Sequence, residues 1–454
     1  MAFAPVKSVL SAGGRHGLSE NEKRDPIGLA VAALNRFAQS DLIDRLGIRR
    51  TSEQTVFRVT SAGYKTAGAA SRAFARAGKA RAGTRVPAAQ GRGLFDLTPS
   101  EDEQMLVDVV KEFAEEVVRP AAAVANETCT APDDLLKASL EIGLPLLGVA
   151  EELGGIATER SAVGGVLVHE ALAHGDLGLA VAALSSGAVA TALSLHGTDE
   201  QQHTYLPAFT GDEVPAAALV LAEPTPLFDP LAPATKATRK GDGYVLNGVK
   251  SAVVRGADAE LFLIGAELDG APQLFLVESG TEGITVESDP AMGVRAAGLT
   301  RLILRDVEVE PIARFADAAA YREVVQNSRL AWCALAVGTS QAVLDYVTPY
   351  VKERQAFGEP IAHRQSVAFM VANIAIELQG MRLVSYKAAS RVARGKDASR
   401  EIALARRLCA EKGMQIGLDG VQLLGGHGYV KEHPVERWYR DLRAIGLMEG
   451  AVLV

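Results

Sequence analysis
The chain has 454 residues, room for two or three domains. Of these, 48% are apolar and 22% charged, which excludes a disordered chain and leaves ample material for a core. Aromatic residues are only 5%, so the abundant Ala and Leu favour helix over strand. The net charge of -8 hides an asymmetry: residues 1–95 carry 16 Lys/Arg against 6 Asp/Glu, the remainder 31 against 49.

The N-terminal apolar stretch is short and broken by Lys7, Gly13, Gly14 and Arg15, which is not a signal-peptide pattern. Residues 1–97 form a basic extension. Pro26 to Leu46 predicts an amphipathic helix on Ile27, Val31, Leu34, Ala38, Leu42 and Leu46. Thr51 offers a cap for a second helix that turns basic at Lys65, Arg72, Arg76, Lys79 and Arg81. Gly78 to Gly93 reads as a flexible linker. The basic face suits either a solvated surface or peripheral contact with an anionic membrane or acidic partner.

From residue 98 the pattern is helical. Thr98 is expected to cap, with Pro99 in the first turn and Glu101 as the capping-box acid. Helices are expected at Asp133–Ile142, Arg160–Ala173, Gly178–His196 and Glu200–Phe209. The uncharged, Ala-rich run Leu177–Leu195 reads as a buried core helix rather than a membrane span. Near residue 214 the period becomes two. Ala234–Arg239 and Tyr244–Leu246 flank a turn, Asn247-Gly248 predicts a hairpin returning over Val249–Val254, and Asp269-Gly270 predicts another between Leu261–Ala266 and Leu274–Val277. Thr300–Val309 closes the β region. Three long helical patterns follow at Val324–Lys352, His363–Arg394 and Ser399–Leu424. The expected domains are 1–97, 98–213, 214–317 and 318–454.

Several chemistries are excluded. His169 and His174 are five apart, roughly 140° around a helix, so they do not form a zinc pair. Cys129, Cys333 and Cys409 have neither metal nor disulfide spacing, and a reducing, cytoplasmic location fits them. Gly425-Gly426-His427-Gly428 follows a helix, not a strand, against a Rossmann fingerprint. The basic extension lacks the interleaved aromatics of a single-strand nucleic-acid surface, so no nucleic acid is expected.

The last quarter carries an ordered set of motifs: Glu353-Arg354-Gln355-Ala356-Phe357-Gly358-Glu359-Pro360, then Gln365, then Gln422-Leu423-Leu424-Gly425-Gly426-His427-Gly428-Tyr429, then Arg440-Asp441. Arg354 offers a fixed cation for a pyrophosphate, Phe357 can cover a ring, and the glycines admit a ligand close to the backbone. With Gly243–Lys250 and Gly197–Gln201, this set closely resembles the acyl-CoA dehydrogenase family over about residues 98–451. The resemblance implies an α+β fold: an N-terminal all-α domain, a middle antiparallel, barrel-like β domain and a C-terminal four-helix bundle. It implies that Arg354, Phe357, Gln365, Gln422, Gly425 and Gly426 contact FAD, partly that of a neighbouring subunit, and hence a homodimer or homotetramer. It assigns Arg329 to the acyl-CoA substrate and makes Glu449, in Met448-Glu449-Gly450-Ala451, the general base. The implied reaction is α-proton abstraction by Glu449 with β-hydride transfer to flavin N5, electrons passing to an electron-transfer flavoprotein.

Two motifs depart from the family. The flavin-contact stretches read Ala222-Glu223-Pro224-Thr225-Pro226-Leu227-Phe228-Asp229 and Lys250-Ser251-Ala252-Val253-Val254, without the usual hydroxyls at 222 and 254 or the usual Trp at 252. These losses, with the altered residue Phe228, motivate an alternative, a non-catalytic or half-active subunit of a hetero-oligomer; an oxidase on the same fold is another. The chain also ends five residues after Glu449, where family members usually continue through another helix. A clipped C-terminus and a poorly held Glu449 are therefore expected.

Overall fold
The computed structural model describes residues 99–452, apart from 156–160, 212–213 and 318. The helices and linker expected before residue 98 lie outside the described residues. Helix α1 (Glu101–Phe113) starts on Ser100, not on Thr98. The Ser100 hydroxyl accepts the Glu103 N–H at 3.1 Å, and the Glu103 carboxylate accepts the Ser100 N–H at 2.7 Å. Two overlapping Ser/Thr-x-x-Glu patterns compete at 98–101 and 100–103, and spacing alone does not choose between them. A π-turn at Ala114–Val118 leads into α2 (Arg119–Thr128).

Helices α3 (Asp133–Glu141), α4 (Ala162–Gly175), α5 (Leu177–His196) and α6 (Asp199–Phe209) complete the first helical part. The Asp176 carboxylate caps α5 by accepting the Leu179 N–H at 3.1 Å. By length and composition α5 is able to cross a membrane, yet 83% of its apolar stretch is buried inside the fold, as its core-helix reading requires.

The middle part is one curled sheet of seven strands: β1 (Ala217–Val220), β2 (Lys236–Lys240), β3 (Gly243–Val253), β4 (Leu261–Leu268), β5 (Ala271–Glu278), β6 (Ile284–Ser288) and β7 (Thr300–Val309). Their order is β1-β4-β2-β3-β7-β6, with β5 on the free edge of β4. Pairing is antiparallel except where β4 meets β1 and the start of β2. Asp269-Gly270 makes the expected two-residue turn, with φ of 53° and 87°. Asn247-Gly248 does not turn. Strand β3 runs straight through it, and the dipeptide forms a bulge, shifting the register against β7 between Leu246 and Gly248. The Asn247 side chain spans the bulge, donating to Asp306 Oδ1 at 3.0 Å and accepting the Asp306 N–H at 2.9 Å. The turn expected between Ala234–Arg239 and Tyr244–Leu246 forms at Gly241-Asp242.

The C-terminal part holds α7 (Ala320–Glu353), a small ribbon of β8 (Gln355–Ala356) and β9 (Glu359–Pro360), α8 (Gln365–Ala393), α9 (Ser399–Leu424) and α10 (Val435–Leu442). Helices α7, α8 and α9 pack on one another, α10 lies on α9, and α4 packs against α7 and α8. A knot of buried charge joins the helical parts to the sheet region. Arg437 Nε donates to Asp176 Oδ2 at 2.9 Å, and Asp441 Oδ1 accepts the Val294 N–H at 2.6 Å. Burial, with Asp176 nearby, pushes the Asp441 carboxyl up to about 7.

The α4–α7 crossing is so close that a Cβ on Gly338 would stand 2.0 Å from the Glu170 carbonyl oxygen. Gly338→Val is therefore expected to cost about 1–3 kcal/mol by overpacking. A thermal melt showing an unchanged midpoint would contradict this crossing.

Candidate active site
Glu449 lines one concavity, and Arg354, Phe357, Gln422, Gly425 and Gly426 line a second that shares no residue with it. The first is a cavity of about 220 Å³ between the rim of the sheet and helices α4, α5 and α7. Leu219, Leu221, Ala222, Ser251, Ala252 and Val254 form its sheet wall, and Val324, Ser328, Ala331, Trp332 and Leu335 form the α7 wall. Glu449 closes it. Three of the departures from the family pattern, Ala222, Ala252 and Val254, thus line one cavity with the expected base, and Phe228 does not.

Glu449 is only 7% exposed. Its Oε1 accepts the Ser328 hydroxyl at 3.0 Å, while Oε2 has no hydrogen-bond partner among the described residues. Burial pushes its carboxyl above the ordinary 4.5, against the lowering pull of Ser328, Arg406 and Arg329. A carboxyl so placed, with one free oxygen, is suited to accept a proton from a bound molecule.

The backbone here is bent and tightly held, contrary to the expectation of a loose end. Glu449 and Gly450 adopt φ of 57° and 104°, and a Cβ at Gly450 would stand 2.6 Å from Pro230 Cδ. Left-handed backbone of this kind persists only where neighbours enforce it. Two arginines do so. Arg329 donates through Nε and Nη2 to the Glu449 carbonyl at 3.0 and 2.9 Å. Arg406, 5% exposed, donates through Nη2 to the carbonyls of both Met448 and Gly450. The Ala451 N–H adds a bond to the Phe228 carbonyl at 3.1 Å. Arg329, expected at the substrate, thus uses Nε and Nη2 to hold the backbone of the base. Arg406 carried no motif in the sequence; an interior Arg on the long amphipathic α9 was its sole signal.

The sheet wall is fixed by a buried ion pair. Lys250 Nζ lies 2.9 Å from Glu223 Oε1, with side chains 0% and 2% exposed. Glu223 also accepts the N–H groups of Ala234 and Thr235 at 2.7 and 2.9 Å. Burial works against both charges, but Lys250 and Thr235 hold the Glu223 carboxyl below its ordinary value.

The second concavity lies on the helical bundle, lined by Tyr350, Arg354, Phe357, Arg364, Gln422, Gly425, Gly426 and His427. Gln365 opens α8 beside it but is not part of its lining. The Phe357 ring is 94% exposed at the tip of the β8–β9 ribbon, with the Arg364 guanidinium 5.4 Å from its centroid. Gly425 has φ 59° and ψ -132°, and a Cβ on it or on Gly426 would meet nothing within 4 Å, so the backbone is open to close approach.

The chain matches the acyl-CoA dehydrogenase N-terminal domain over residues 100–213, the middle domain over 218–307 and the C-terminal domain over 318–452. It is 30% identical to the mitochondrial short/branched chain specific acyl-CoA dehydrogenase of Rattus norvegicus over 364 residues, 78% of this chain and 83% of that one. Butyryl-CoA dehydrogenase from Megasphaera elsdenii superposes with a TM-score of 0.72 at 25% identity, covering 78% of this chain and 96% of that one. PigA with FAD and proline gives 0.73 at 25% identity, with the same coverage.

Removing the Arg406 guanidinium leaves two buried carbonyls unsatisfied. Arg406→Met is expected to destabilise the protein by about 2–4 kcal/mol and to raise hydrogen exchange at residues 448–451. Unchanged exchange there would show that Arg406 does not hold the segment.

Proposed function
From the premise that this chain belongs to the acyl-CoA dehydrogenase family, we propose that it desaturates an acyl-CoA thioester, with Glu449 removing the α-proton. The observation that carries this reading is the buried Glu449 carboxylate with one unpartnered oxygen on the cavity wall. A proton α to a thioester is weakly acidic, and a carboxylate whose pKa is raised by burial is the better base for it. Ser328 orients Oε1, Arg329 and Arg406 fix the backbone that carries the side chain, and the apolar walls exclude water from the acyl group.

FAD is the cofactor of the family and, when bound, supplies the acceptor for the hydride leaving the β-carbon. The residues present fit such a group. Small side chains at Ala222, Ser251 and Ala252 leave the sheet wall free to receive a flat ring. Arg354, Gln422 and the open-backed Gly425 and Gly426 suit a pyrophosphate and its flanking sugar, with Phe357 and Gln365 at the edge. Since these lie in a separate concavity, our reading is that each copy lends them to a neighbour's FAD. An electron-transfer flavoprotein as acceptor, and the cytosol as location, complete the proposal.

The outer face of α8 supports assembly. Phe369, Ile376 and Leu383, seven residues apart, are 58%, 67% and 52% exposed, and only 17% of this helix's most apolar stretch is buried. Such a stripe suits a second subunit. Ala222, Ala252 and Val254 favour a second reading, in which that subunit is a related chain and this one completes its site.

Glu449→Gln is expected to lower kcat by roughly 10²–10⁴-fold. The acid limb of kcat/KM, where Glu449 takes up a proton, is expected above the ordinary glutamate value of 4.5. Ser328→Ala removes a bond to the charged form and should move that limb up by about one pH unit. A purified protein that neither binds FAD nor bleaches with any acyl-CoA would defeat the desaturation reading. Ile376→Asp is expected to shift the protein toward monomer in sedimentation, with loss of activity if the bundle residues serve a neighbour.

A further inference from the structure
His169, Glu170 and His174 separate in the fold. Glu170 pairs with Arg382 at 2.8 Å and accepts the Tyr386 hydroxyl at 2.6 Å, and His174 contacts Arg119 and Asp345. His169 alone borders the first cavity. Its Nδ1 lies 2.6 Å from the Gly165 carbonyl one turn earlier on α4. That contact requires the hydrogen on Nδ1, so Nε2 holds a lone pair. Nε2 makes no hydrogen bond among the described residues. Burial also lowers the His169 pKa below 6.5, keeping the ring neutral at neutral pH.

Its level in the cavity can be read along α7. Glu449 is bonded to Ser328, whereas Glu170, next to His169, abuts Gly338, ten residues further on. At about 1.5 Å per residue, His169 stands on the order of 10–15 Å from the base along the helix. The lining they share is largely apolar, with Ala331, Trp332, Leu335, Val181 and Leu184 among it. A lone pair in such surroundings goes unpaired against a hydrocarbon tail and paired against a donor.

We propose that His169 selects the acyl tail, accepting a hydrogen bond from a hydroxyl or N–H borne far from the thioester, so that the substrate class is acyl-CoAs with a polar, donor-bearing tail. This rests on the acyl-CoA desaturation reading. The same acceptor chemistry has a second source, the amide N–H groups of the CoA pantetheine arm, and the test separates the two. The FAD-loaded protein is assayed with an artificial electron-acceptor dye on straight-chain acyl-CoAs of several lengths and on their terminally hydroxylated counterparts.

Wild type is expected to favour the hydroxylated member by roughly ten-fold in kcat/KM at the length that reaches His169. His169→Leu should erase or invert that preference, while His169→Gln, which keeps an acceptor, should retain it. Binding of the same pairs to non-turning Glu449→Gln protein should show the same pattern by calorimetry. Equal ratios in wild type and His169→Leu, with turnover intact, would overturn the inference alone. So would an equal loss of affinity for every acyl-CoA, which would place the bond on the pantetheine arm. Absence of turnover and binding with all acyl-CoAs would overturn the desaturation reading and this inference with it.

Discussion
A carboxylate set in a nearly dry cavity has to be held against two tendencies: to turn toward water and to relax its backbone. In this chain the hold is made through the main chain. Three consecutive carbonyls, those of Met448, Glu449 and Gly450, are gathered by two guanidinium groups, Arg406 and Arg329. A planar donor fork is suited to this, since one Nη reaches two oxygens without rotating. The left-handed conformation of Glu449 and the glycine after it follow from that gathering. The side chain then uses one oxygen on Ser328 and leaves the other buried without a hydrogen-bond partner among the described residues.

The sheet wall obeys a related logic. Its frame is retained and its lining is altered. Glu223 and Lys250 still form a fully buried pair, and breaking one partner of such a pair strands the other charge. The neighbouring positions 222, 252 and 254, which line the cavity, are Ala, Ala and Val, where the family resemblance leads one to expect hydroxyls and an aromatic ring. The pattern is that of a scaffold under structural constraint whose contact surface has been retuned.

Much of this was legible from the sequence where the signal is local and periodic. Ser399–Leu424 and Thr300–Val309 match the observed helix and strand, and the Asp269-Gly270 turn forms as its chemistry requires. Asn247-Gly248 misled, because a dipeptide tolerant of unusual backbone serves a bulge as readily as a turn, and the partner strand decides which. Glu449 was visible through its motif, but its burial was not: that depends on Arg406, 43 positions away along the chain, and no periodicity announces a guanidinium that bonds backbone oxygens. Arg329 was recognised as belonging to the site, but its bonds to the Glu449 carbonyl were not legible for the same reason, since what a cation touches is a tertiary fact.

The buried charge knot sets a limit on how such a protein can be recombined. Asp176 comes from the first matched segment, the Val294 N–H from the middle one, and Arg437 and Asp441 from the last. Exchange the first or the last segment for one without the matching residue, and Arg437 or Asp176 is marooned in the interior. The three segments read as modules in sequence, but inheritance has to pass them on as a single piece.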